Sequence, residues 1–172
     1  VRPAAHPAQV HSCGRNRTLK IRLFLLSAML LSLFACQDRP QNGQAEGDKN
    51  ALEASPLHQY FARSYPDKQA LVWAFHDVNN DGRDDLILIY RLDRERNAMR
   101  VILSTGGTYT ITNDVPAPIS NQTIAFKDID DKPPMEFIVQ GMKGTNMGYA
   151  VYRIENSKLV DLFSEGMAGC CG

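Results

Sequence analysis

Asp77-Val78-Asn79-Asn80-Asp81-Gly82-Arg83-Asp84-Asp85 is the segment with the densest chemistry. Oxygen side chains stand at its first, third, fifth and ninth positions, and a tight coil would turn them toward one point. Arg83, at the seventh, can offer its backbone carbonyl, and Gly82 at the sixth permits the sharp turn. Six to eight oxygens at such spacing suit a hard cation, and Ca²⁺ is the expected one. Asp77, Asn79, Asp81 and Asp85 are therefore the expected side-chain ligands, in a structural role, because crowded carboxylates repel until a cation neutralises them. A second loop carries Asp128, Asp130 and Glu136 at equivalent positions, with Lys132, Pro133 and Pro134 replacing Asp81, Gly82 and Arg83. A lysine in a ligand position makes this a degenerate, weak site. The alternative for both loops is an Asx-rich turn that binds nothing.

Cysteines carry the second kind of chemistry. Cys170 and Cys171 are neighbours in Gly166-Met167-Ala168-Gly169-Cys170-Cys171-Gly172. A disulfide between adjacent residues is strained, because their Cα atoms lie about 3.8 Å apart against a usual bridging range of about 4.4–6.8 Å. Such a bond is possible and would be easily reduced; the alternatives are a soft, thiophilic metal held by both sulfurs, an exposed redox or mixed-disulfide site, or a small-residue tail with two incidental cysteines. His76 beside the acidic loop reads as a solvent-facing strand end, and His58 has no visible partner. Asp84, Asp85 and Glu136 could serve a glycan hydrolase, but no nucleophile elbow, zinc-protease motif or Ser/His/Asp spacing accompanies them. The expectation leans away from an enzyme.

The chain of 172 residues has 44% apolar residues, enough for one domain with a core. Its formal charge of zero hides an asymmetry. Residues 1–35 hold five basic groups and no acid, leaving 14 basic and 19 acidic groups from Cys36 onward. That acidic remainder speaks against nucleic-acid binding. Lys20 and Arg22 precede an uncharged apolar run from Leu23 to Ala35. The run is short of the roughly 20 residues of a membrane span and fits a signal-peptide core. It ends in Leu33-Phe34-Ala35-Cys36, which resembles the lipobox of bacterial lipoproteins. The resemblance implies cleavage before Cys36, acylation of Cys36 and a stable membrane anchor of two or three chains. Residues 1–18, rich in Pro, His and Arg, read as an over-extended frame with Leu19 as the start, which sets aside His11 and Cys13. Residues 19–35 are then the signal peptide. Gln37 after the cysteine departs from the aspartate that marks inner-membrane retention, which favours the outer membrane with the domain facing the periplasm.

These groups need elements to hold them. Residues 37–50 lack any bulky apolar side chain and read as the tether. Leu52, Leu57, Tyr60 and Phe61 recur at helical spacing before Tyr65-Pro66, so one N-terminal helix is expected, with Ser55-Pro56 as a candidate start. Beyond Ala70 the pattern becomes strand-like and repeats. Ala74-Phe75-His76-Asp77-Val78-Asn79-Asn80 returns 51 residues later as Ala125-Phe126-Lys127-Asp128-Ile129-Asp130-Asp131. Each unit reads as four strands, near 71–76, 86–92, 99–104 and 108–112, then near 123–128, 136–140, 148–155 and 158–163. Gly106-Gly107 and Asn156-Ser157 supply hairpin turns. Leu86-Ile87-Leu88-Ile89-Tyr90 is apolar throughout, as in an inner strand covered on both faces. The expected fold over 51–172 is mainly β: two four-stranded, blade-like repeats packed together, their edges managed by that packing and by the helix.

The first loop and its flanking strands, from Leu71 to Tyr90, resemble the FG-GAP/VCBS-type repeats of exported bacterial proteins, whose blades carry an Asp-x-Asn-x-Asp-Gly-x-x-Asp loop. The resemblance implies Asp77, Asn79, Asp81 and Asp85 as calcium ligands. A full EF-hand would have Glu where Leu88 stands. An exported chain of this size with Cys170-Cys171 near its end also resembles the Cys-Cys-COOH (seleno)protein family SaoC, although here Gly172 follows the pair. That resemblance implies a thiol- or metal-linked role beside a transport system. The expected function is a non-enzymatic accessory or interaction lipoprotein with a structural Ca²⁺ and a protein partner in the envelope. The rival is a soft-metal-binding or redox lipoprotein acting through Cys170 and Cys171.

Overall fold

The computed structural model describes residues 48–171. Cys36, the apolar run, most of the tether and Gly172 lie outside the described residues.

Two short helices open the domain where one was expected: α1 (Lys49–Ala54) and α2 (Pro56–Ser64). The Asp48 carboxylate caps α1 by accepting the Asn50 N–H at 2.9 Å. The break falls at Ser55, extended at φ −67° and ψ 127°. A residue before proline is driven out of the helical region, and Pro56 is pre-organised to start the next helix.

A four-stranded antiparallel meander follows: β1 (Ala70–His76), β2 (Asp85–Arg91), β3 (Asn97–Thr105) and β4 (Thr108–Ile111). A three-residue strand, β5 (Val115–Ala117), pairs with the other end of β3. The second meander is β6 (Ser120–Phe126), β7 (Phe137–Lys143), β8 (Asn146–Glu155) and β9 (Lys158–Glu165), again in sequence order. The chain closes with one helical turn, α3 (Met167–Cys170). Both expected hairpins have positive φ at both turn residues, Gly106-Gly107 and Asn156-Ser157, as the right-handed strand twist requires.

β2 is buried on both faces. Ile87 and Ile89 join Met99, Val101, Leu103, Ile124, Phe137, Val139, Ala150 and Tyr152 in the core between the sheets. Leu86, Leu88 and Tyr90 point the other way, onto Leu52, Leu57 and Phe61 of the helices. The helices therefore cover a face of the first sheet, where cover of the edges was expected. The sheets are also clipped together by Asn113, whose side-chain amide donates to Leu159 O at 3.1 Å and accepts from Leu159 N at 2.9 Å. His76, expected to face solvent, stacks on Phe126 of the second repeat with ring centroids 4.3 Å apart.

Candidate functional site

The two acidic loops occupy equivalent places, between β1 and β2 and between β6 and β7, and share a hydrogen-bond plan. Val78 N donates to Asp85 Oδ2 at 3.2 Å, and Ile129 N donates to Glu136 Oε2 at 3.0 Å. Asp81 N donates to Asn79 Oδ1, and Lys132 N donates to Asp130 Oδ1. Asn80 and Asp131 hold matching positive φ values of 62° and 56°. The repeat is thus one of backbone conformation as well as of residue type.

The first loop coils around Asp77. Its two oxygens accept from Asp81 N at 3.1 Å and Gly82 N at 2.8 Å. Gly82 sits at φ +80°, where an L side chain would be strained. Asp81 Oδ1 accepts from Arg83 N, and the Arg83 guanidinium lies 3.7 Å from Asp81 Oδ2. Asp85 closes the loop from beneath. It is fully buried, and Oδ1 accepts from Ser104 N of β3 at 2.8 Å. Burial is the main reason its pKa rises to about 6, with Asp81 and Asp77 adding to the rise and its two backbone donors opposing it. Asp84 points to solvent.

The second loop, expected to be the weaker site, gathers its acids more closely, whereas Asp77, Asp81 and Asp85 of the first loop do not all come within 4.8 Å of one another. Among the described residues, Asp128, Asp130 and Glu136 form the one carboxylate group whose oxygens all lie within 4.8 Å of one another. A side chain of the same protein already answers that charge. Arg153 Nη1 donates to Asp130 Oδ2 and to Glu136 Oε1, each at 3.1 Å, while Nη2 donates to Glu155 Oε1 at 2.7 Å. Glu136 is 1% exposed, so the pair is buried on one side. The strand registers explain the difference between the loops. Leu86 pairs with Ile102, and Phe137 with Tyr152. One residue further, Leu103 stands opposite Asp85 and Arg153 opposite Glu136. Residue-by-residue reading of the loops missed Arg153, because it lies on β8, 17 residues beyond Glu136.

Cys170 and Cys171 are both free and buried. Their sulfurs are 3.6 Å apart. Met167, which had drawn no attention in the sequence, brings its Sδ to 3.7 Å from Cys170 and 3.9 Å from Cys171. Burial, together with the neighbouring Cys170 thiol, pushes the Cys171 pKa up to about 12. Elsewhere, Asn97 is buried with both amide hydrogens directed at Pro118 O and Ile119 O, and its Oδ1 finds no partner among the described residues. Ile129, Leu162 and Phe163 are exposed and line a shallow apolar groove with Val151.

No protein-family model, curated protein or solved structure matches this chain. Among the described residues no helix is long and apolar enough to cross a membrane.

Proposed function

We propose that this chain is an exported, lipid-anchored accessory protein whose β domain is stabilised by one calcium ion in the Asp77–Asp85 loop. The observation that carries the calcium reading is the contrast between the repeats. Glu136 is buried beside a guanidinium, whereas Asp85, at the same place in the first repeat, has two backbone donors and the carboxylates of Asp77 and Asp81 acting on it, and among the described residues Arg83 pairs with Asp81 rather than with Asp85. Its loop keeps the oxygen-bearing residues and the glycine turn that the second loop has lost. A divalent cation would do for the first repeat what Arg153 does for the second. Extracellular modules bind Ca²⁺ with Kd near 10⁻⁴–10⁻³ M, which suffices where calcium is abundant.

Anchoring rests on Lys20, Arg22, the apolar run and Cys36. The accessory role is supported by the exposed apolar groove along Ile129, Leu162 and Phe163. A glycan hydrolase is less well supported, because Glu136 is paired with Arg153 and stands in a different repeat from Asp84 and Asp85.

Thermal melting of the full chain in EDTA and in Ca²⁺ tests the calcium reading. Tenfold saturation over Kd stabilises by about 1.4 kcal/mol, a rise of roughly 4–6 °C in Tm. Asp81→Ala should lose most of that rise. No shift at millimolar Ca²⁺ would defeat the reading. For the anchor, Cys36→Ser should move the protein from the membrane to the soluble fraction and stop incorporation of labelled fatty acid. Unchanged labelling would rule out Cys36 as the acylated residue.

A further inference from the structure

Met167, Cys170 and Cys171 stand at i, i+3 and i+4, so one turn of α3 lays all three on one face. Their sulfurs form a near-equilateral triangle with sides of 3.6, 3.7 and 3.9 Å. A point equidistant from the three lies about 2.2 Å from each, against a metal–thiolate bond of about 2.3 Å. An ion could therefore enter the plane of the sulfurs with little rearrangement.

The frame around the triangle is tight. Ile119 N donates to Cys170 O at 3.2 Å, fixing the turn to the chain before β6. Cys170 Sγ lies so close to Gly148 of β8 that a Cβ there would sit 2.7 Å from it. Met167 and Cys171 also line a cleft with Pro116, Tyr152 and Asp161, which gives an ion a way in.

We infer that Met167, Cys170 and Cys171 form a three-coordinate site for a soft monovalent metal ion, copper(I). Two thiolates and a thioether are soft donors that select Cu(I), whereas calcium and magnesium require oxygen. Zinc is held by thiolate, imidazole and carboxylate, and a thioether is absent from that set. On binding, both cysteine S–H bonds break, and their electron pairs form the two thiolate–copper bonds. Two protons leave to solvent. Met167 donates a lone pair without losing a proton, and copper remains monovalent throughout. None of these residues belongs to the calcium loop, so the two sites stand or fall separately.

Competition for Cu(I) against a chromophoric chelator tests the site, using the full chain under anaerobic, reducing conditions. One copper per chain should leave the chelator, with two protons released, and X-ray absorption should report three sulfurs at about 2.2–2.3 Å. Loss of an outer partner of a metal ligand costs about 10–100-fold in affinity, so removing a direct ligand by Met167→Leu should cost about 100-fold. Its Tm in the absence of copper should stay within about 5 °C of the parent's, since leucine fills a similar volume. Cys171→Ser should abolish competition. Cys170 is fully buried, so if a cysteine variant does not fold, Met167→Leu and the sulfur count decide. Undiminished affinity in Met167→Leu, or a shell of nitrogen and oxygen donors, would overturn the assignment. The Ca²⁺ response, read on the same samples, should be unchanged by either substitution.

Discussion

Asp85 and Glu136 face the same problem, a carboxylate drawn under a sheet, and meet it differently. Two backbone donors oppose the effect of burial on Asp85, but burial prevails and its pKa rises from 3.8 to about 6. Without metal, the fold therefore favours the protonated form. The stability this contributes is fully present below about pH 3.8 and is lost as pH rises through about 6. In EDTA, Asp85→Asn should flatten that part of the pH profile, as read by the difference between variant and parent in urea denaturation at pH 5 and pH 7. With the proposed Ca²⁺ bound the sign should reverse, because the ion needs the carboxylate, and calcium stabilisation should fade on acidification below pH 6. Glu136 depends instead on Arg153, whose Nη1 is 3.1 Å away. Arg153→Leu, which copies Leu103 of the first repeat, should lower the midpoint of chemical denaturation, since it leaves the buried Glu136 without its partner. Adding Glu136→Gln should recover part of that loss. An unchanged midpoint would mean that the pair is screened like a surface bridge.

Elements set the spacing at which these residues meet. The helical turn α3 exists because Gly166 takes φ +67° directly against Met147 of β8, and because Gly148 leaves room for Cys170. A Cβ at Gly148 would come within 2.6 Å of the Gly166 backbone as well as 2.7 Å of Cys170 Sγ. Backbone cannot yield as a flexible side chain can. Gly148→Ala should therefore displace α3, cost about 1–3 kcal/mol as overpacking does, and make Cys170 and Cys171 react rapidly with a thiol reagent. Slow labelling equal to that of the parent would show that the sheet absorbs the methyl group. The paired strands were legible from alternation and turn residues, each within two or three residues of the expected ends. β5 was not, because a three-residue strand containing Pro116 has too few positions to show a period. α3 escaped notice for the same reason.

In the whole molecule, two meanders bury one core between them, and the helices bury a second on the far side of the first sheet. Phe61 sits at the centre of that second core at 1% exposure, in ring contact with Tyr65 and Tyr90. Phe61→Ala should cost about 3–5 kcal/mol and expose Leu86 and Leu88 to a hydrophobic dye. Among the described residues no such cover lies over Leu162 and Phe163 of the second sheet, which are 41% and 53% exposed.

Local grammar carried the sequence a long way. Alternating apolar residues define strands, paired glycines or Asn-Ser define hairpins, a proline splits a helix, and a 51-residue echo marks two units of one plan. These signals depend on neighbours along the chain, so the chain alone displays them. Tertiary structure decided which charges and sulfurs meet. Arg153 reaches the second loop only through the pairing of β7 with β8, and Leu103 stands in its place beside the first loop only through the pairing of β2 with β3. Met167 joins the cysteines only because α3 folds as a turn pressed on β8. Coulomb attraction and coordination act over a few ångströms of space whatever the separation along the chain, so local sequence could name the charged and sulfur-bearing residues without naming their partners.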